Sequence, residues 1–220
     1  MAIDKWMEGI LEHREEMRPV ETDSESKLKQ VSGIKAVIFD VYGTLVISGS
    51  GDVGSADATG CSALIRNAIE DLGITQGIDA VPTAEMLQQT IQQLNFERQG
   101  PDCPNPEVDI VEVWRHLLAK CGWTGGAANI QSIVRLATQY EAWANPTWPM
   151  RHASQLLTEL KAAGLPLGIV SNAQIFTPSL VKDLLNQDGL EECGFSLDLC
   201  VFSNRYRQAK PVPRLFDVLL

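Results

Sequence analysis

The feature that most constrains this chain is a six-residue run, Ile34-Lys35-Ala36-Val37-Ile38-Phe39, that ends directly at Asp40. A stretch so short, almost wholly apolar and rich in β-branched side chains, predicts a strand covered on both faces, as in a parallel sheet. Two further runs share its texture. Residues 165–170 (LPLGIV) end at Ser171-Asn172, and residues 197–202 (LDLCVF) lead towards Lys210. Helical segments separate the runs: 151–163, closed by Gly164, then 178–185, and a helix opening at Pro213. Strand and helix in alternation imply right-handed crossovers and a parallel, Rossmann-like α/β sheet with helices on both faces.

The chain between the first two strands has a different texture. Residues 48–60 (SGSGDVGSADATG) predict a flexible loop. Four helices and no strand are then expected. The first spans 61–72 before Gly73, and the second opens at Thr83 and runs to about Gln99. The third covers 107–121, with Ile110, Val113, Trp114, Leu117 and Leu118 on one face; the fourth covers 129–143 and is broken before Pro146. The expected organisation is therefore an N-terminal helix (4–18) and polar linker over 1–30, an α/β core from 31–47 plus 150–220, and an all-helical cap over 48–149. Trp114, Trp123, Trp143 and Trp148 are expected to pack the cap and its junctions.

Charge narrows the partners. Acidic residues number 28 against 18 basic ones, a net charge of −10. An acidic surface disfavours nucleic acid and anionic membrane. No apolar run reaches the 18 residues of a membrane span, and the N-terminus lacks a signal-peptide core, so a cytoplasmic location is expected by default. Cys61, Cys103, Cys121, Cys193 and Cys200 are scattered and odd in number, which predicts free thiols rather than zinc or disulfides. His13, His116 and His152 have no ligand spacing.

Ligands of open parallel sheets bind beyond the carboxyl ends of the strands. Asp40, Ser171-Asn172 and Lys210 all fall there. Gly43 permits a tight turn after Asp40, and the Thr44 hydroxyl can bond an anion. A carboxylate nucleophile needs a cation to hold its charge, which Lys210 could supply. Ser171 and Asn172 offer a hydroxyl and an amide for phosphate or carboxylate oxygens.

These residues carry a resemblance. FDVYGTL at 39–45 resembles the first motif of the haloacid dehalogenase-like hydrolases, VSNA at 170–173 their second, and KPVPRLF at 210–216 their third. The order matches, with a cap inserted after the first motif. The resemblance implies a hydrolase of small molecules, with a phosphate ester as the leading substrate class and a 2-haloacid as the alternative. A non-catalytic or truncated relative acting as a binding or structural protein is the reading from another class. Asp40 would be the nucleophile, Thr44 and Lys210 would assist it, and Tyr42, Gly43, Ser171 and Asn172 would bind substrate. A phosphatase would hold Mg²⁺ on Asp40 and the Tyr42 backbone carbonyl; a dehalogenase would need no metal.

Three departures accompany the resemblance. Phosphatases of this kind carry a second Asp where Tyr42 stands, and a phenol is a poor proton donor at neutral pH. Dehalogenases carry a Tyr where Phe216 stands and an Arg in the cap, for which Arg66 and Arg98 are the candidates. No fourth motif is visible after the helix opening at Pro213, so the core is expected to be C-terminally incomplete, with one flank of the Asp40 strand unpaired. Such an edge invites a partner or a second copy, and a homodimer is an open expectation.

Overall fold

The computed structural model describes residues 14–21, 23, 25, 27, 29–49, 58–124 and 130–219. The expected N-terminal helix does not reach residues 14–18, which have no regular structure; 4–13 lie outside the described residues. Most of the predicted 48–60 loop lies outside them too, and Ala58 already begins a helix.

Three parallel strands form the sheet: β1 (Val37–Phe39), β4 (Leu167–Ser171) and β5 (Phe195–Phe202), in the order β1-β4-β5. A two-stranded antiparallel ribbon, β2 (Val46–Ser48) with β3 (Thr147–Pro149), lies at the two ends of the helical insertion. The insertion holds α1 (Ala58–Asp71), a 3-10 turn (Ile74–Gly77), α2 (Ala84–Arg98), α3 (Ile110–Lys120) and α4 (Ile130–Ala144). After β3 come α5 (Ala153–Ala162), α6 (Thr177–Leu184), α7 (Ser203–Tyr206) and α8 (Arg214–Asp217). The family of this architecture is the Rossmann-like α/β class that the alternating pattern predicts.

The ribbon corrects the expectation of a strand-free insertion. Ile47 pairs with Trp148 and Ser48 with Thr147. Neither segment alternates polar and apolar residues over a length that signals a strand, so only their meeting in space makes them one. The helix from Pro213 is likewise shorter than expected, a single turn within the described residues.

Local signals set the helix ends. The Thr83 hydroxyl accepts from Met86 N–H at 3.2 Å, and the Asp109 carboxylate accepts from Val111 N–H at 2.9 Å, so each caps its helix. On α3 the apolar stripe buries Ile110, Val113, Trp114, Leu117 and Leu118. Trp114 is wholly buried and meets Tyr140 of α4 edge-to-face at 5.4 Å.

The two-residue period of the strands sorts the sheet's side chains. Phe39, Ile169, Cys200 and Phe202 join the main core with Leu180, Val181 and Leu184 of α6. Val170 and Val201 point the other way and are buried with Leu215 of α8 and Tyr206 of α7. Between β4 and β5 the register shifts around Gly168, where a Cβ would run into the backbone oxygen of Leu199. Only glycine lets the strands approach there. β5 begins at Phe195, earlier than predicted, and Leu197 on this outer strand is exposed.

Candidate active site

β1 ends at Phe39, and the chain turns at once. The N–H groups of Leu45 and Val46 both donate to the Val41 carbonyl, at 2.9 and 3.0 Å, while Gly43 N–H donates to the Val46 carbonyl at 2.7 Å. Gly43 has φ 80°, a left-handed value that glycine adopts without strain. This compact turn holds Asp40 at the strand tip with its side chain 39% exposed.

Two donors fix the Asp40 carboxylate. Oδ1 accepts from Val41 N–H at 2.8 Å, and Oδ2 lies 2.7 Å from Lys210 Nζ. Asn172 orients the lysine in turn: its Oδ1 accepts the Lys210 backbone N–H at 2.8 Å. Lys210 precedes Pro211 through a cis peptide bond. Ser171 is buried at the end of β4, its hydroxyl donating to the Asn172 carbonyl at 3.2 Å. Asp40, Ser171, Asn172 and Lys210 are thus brought to one end of the sheet by three separate strands. Thr44 is exposed in the turn.

Tyr42 points elsewhere. It is buried, and its hydroxyl shares a 3.0 Å hydrogen bond with Thr177 Oγ1 at the start of α6. Burial, then the nearby Glu141 charge, push its pKa well above the ordinary phenol value. Tyr42 also lines a cavity of about 640 Å³ together with Leu64, Thr138, Glu141, Phe176 and Arg14. Asp40, Ser171, Asn172 and Lys210 do not line that cavity.

A magnesium ion would draw on the Asp40 carboxylate and the Tyr42 carbonyl. Mg²⁺ takes six oxygens in an octahedron, several of them from water and only one or two from protein carboxylates. The Asp40 carboxylate keeps lone pairs beyond those facing Val41 N–H and Lys210, so it and the Tyr42 carbonyl could contribute to such a shell. Among the described residues no group of three His, Cys, Asp or Glu side chains is placed to hold a metal. Of the cap arginines, Arg98 is tied to Glu112 at 2.9 Å and Arg66 is exposed on α1; Phe216, outside the insertion, is exposed on α8.

The structure thus places a carboxylate at a strand tip, paired with a lysine and open to solvent, at the end of the sheet where ligands of parallel α/β folds bind. The chain belongs to the haloacid dehalogenase-like hydrolase family, whose model matches residues 34–220. None of the curated protein sequences matches it. Among solved structures, CbbY from Rhodobacter sphaeroides in complex with phosphate is 19% identical, with 86% of this chain and 72% of that one aligned at TM-score 0.45. An L-2-haloacid dehalogenase is 21% identical, over 85% and 71%, at TM-score 0.41. A predicted phosphoglycolate phosphatase from Haemophilus somnus is 18% identical, over 84% and 70%, at TM-score 0.38. Among the described residues no helix is long and apolar enough to cross a membrane.

Sequence reasoning missed Thr177, Gln174, Ser203 and Glu107, which hold the loops of the site together. Thr177 and Gln174 follow the second motif closely and could have been flagged by position. Glu107 lies in the insertion, and nothing local marks it.

Proposed function

We propose that this chain is a hydrolase of small organic molecules in which Asp40 attacks the substrate directly and the leaving group departs without a proton from residue 42. The observation that carries this reading is the pairing of the Tyr42 hydroxyl with Thr177 behind the turn, in a setting that makes it a still weaker acid. A halide needs no proton, so among the family's chemistries 2-haloacid hydrolysis suits the geometry best.

In that reaction the Asp40 carboxylate attacks the carbon bearing the halogen. The carbon–oxygen bond forms as the carbon–halogen bond breaks, and the halide leaves with the bonding pair. Lys210 balances the Asp40 charge before attack and would draw the anionic substrate in. Water then adds to the Asp40 acyl carbon, the ester's acyl–oxygen bond breaks, and a 2-hydroxy acid and one proton are released. Ser171 and Asn172 stand at the neighbouring strand end, where substrate oxygens would lie.

A phosphate ester is the second reading, because a cation beside a carboxylate at a strand tip also suits a phosphoryl group. The same geometry then limits the substrates to leaving groups that are stable as anions.

The test is release of halide from 2-chloropropionate, and of alcohol from an aryl and an alkyl phosphate, with and without Mg²⁺, by the chain and by Asp40→Asn. Metal-independent halide release lost in Asp40→Asn supports the first reading. Aryl phosphate turnover without alkyl turnover moves the assignment to the second. Alkyl phosphate turnover refutes the absence of a proton donor. No turnover of any substrate points to a binding protein.

A further inference from the structure

The loop that carries Lys210 is held by the helical insertion as well as by the sheet. Residues 102–107, between α2 and α3, run antiparallel to residues 207–209, with Pro106 bridged to Gln208. Ala209 N–H donates to the Asn105 carbonyl at 2.8 Å, Glu107 N–H to the Arg207 carbonyl at 3.1 Å, and Gln208 Nε2 to the Asp102 carbonyl at 3.2 Å. Arg207 adds side-chain contacts to Glu112 at 2.8 Å and to Asp109 at 3.3 Å.

One carboxylate stands at the centre. Glu107 Oε2 accepts the Ser203 hydroxyl at 2.8 Å, and Oε1 accepts Gln174 Nε2 at 3.2 Å. Ser203 is fully buried at the end of β5, and Gln174 is buried just past β4. The Ser203 oxygen accepts Ala173 N–H at 2.9 Å. A hydroxyl has one proton to give. The Ala173 carbonyl, at 3.4 Å, competes for it more weakly than the charged Glu107 oxygen. With the proton drawn to Glu107, a lone pair of Ser203 is left facing Ala173 N–H. Gln174 is fixed on the same side: its Oε1 accepts Ile110 N–H at 2.9 Å and its Nε2 reaches the Val108 carbonyl at 3.0 Å.

Ala173 follows Asn172, which holds the Lys210 backbone. Hydrogen bonds therefore link Glu107 to Ser203 and Ser203 to Ala173; the peptide bond carries the path to Asn172, whose side chain holds the Lys210 backbone, and the Lys210 side chain meets Asp40. We propose that Glu107 is a positioning residue by which the helical insertion fixes the Lys210 loop, and with it the distance between Lys210 and Asp40. The proposal rests on reading Asp40 and Lys210 as the reacting pair. The glutamate offers one oxygen to Ser203 and the other to Gln174 at once. A glutamine keeps one of these, and an alanine keeps neither.

The experiment has a readout that needs no substrate. Backbone hydrogen exchange is followed by mass spectrometry in the full chain, in Glu107→Ala and in Glu107→Gln. Exchange in the peptide carrying Ala209 and Lys210 is expected to rise about tenfold or more in Glu107→Ala, with peptides of α5 and β1 unchanged. Glu107→Gln is expected between the two, and it decides alone if the alanine variant does not fold. On whichever substrate the chain turns over, Glu107→Ala is expected to lower kcat about 10- to 100-fold with KM within about twofold. Partial recovery of kcat in Glu107→Gln completes the pattern. Unchanged exchange at Lys210, or a uniform rise across the whole chain in both variants, overturns the proposal. If the wild-type chain turns over none of the test substrates, the functional reading fails, and the exchange result still decides whether Glu107 positions the loop.

Discussion

Lys210 Nζ lies 2.7 Å from Asp40 Oδ2 although the two residues come from opposite ends of the described core. Both side chains are partly open to water, at 24% and 39% exposure, so their attraction is screened and contributes little to stability, up to about 1 kcal/mol. Under the proposed mechanism the pair serves chemistry rather than folding.

Asp40→Asn separates these roles. The variant is expected to lose turnover by about 10³-fold or more, because a neutral amide is a poor nucleophile. Its thermal transition is expected to stay within a few degrees of the wild type, consistent with a screened pair. A large fall in melting temperature would mean that Asp40 is structural.

Tyr42→Phe removes the hydroxyl that meets Thr177. Loss of one buried hydrogen bond costs about 1 kcal/mol, and kcat is expected to change less than about threefold. A loss of about 100-fold or more, the scale of a missing general acid, would show that Tyr42 donates a proton.

Trp114 tests the insertion's core. It is wholly buried, and its indole N–H has no hydrogen-bond partner among the described residues. Trp114→Ala is expected to destabilise by about 3–5 kcal/mol, whereas Trp114→Phe, which also removes the unpaired N–H, costs much less. Denaturant unfolding distinguishes them, and equal losses would point to an indole bond that the structure does not contain.

The thiols predict an alkaline limit. Burial raises Cys200 to about 11, and burial followed by the Glu192 charge does the same for Cys193. A folded-state value raised above the unfolded one favours the protonated, folded form. That stability is fully present below the unfolded value near 9.0 and is lost as pH rises towards about 11. Melting temperature is expected to fall over that window, and less in Cys193→Ala than in the wild type. At pH 8 a thiol reagent is expected to modify half-exposed Cys103 before the buried Cys61, Cys121, Cys193 and Cys200.

Much of the fold was legible because its signals are local. A short apolar run ending in a polar residue declares a buried strand and its tip, so Asp40 and Ser171 could be placed without coordinates. Thr83 announced a helix start and Gly73 a helix end by their own backbone preferences. The β2–β3 ribbon gave no such sign, because its pairing joins segments at opposite ends of the insertion. The direction of the Tyr42 side chain was equally invisible: a sequence places it two residues past Asp40, and only the packing of α6 turns its hydroxyl to Thr177.

The sequence by itself determined the parallel α/β architecture, the helical insertion and the polar residues delivered to the strand ends, since each depends on side-chain period and turn chemistry over a few residues. Tertiary structure alone decided that Lys210 reaches Asp40, that Tyr42 withdraws from it, and that Glu107 ties the insertion to both neighbouring loops. Those contacts join residues far apart in the chain. Hydrogen-bond geometry and burial set them, and neither is written in any one stretch of sequence.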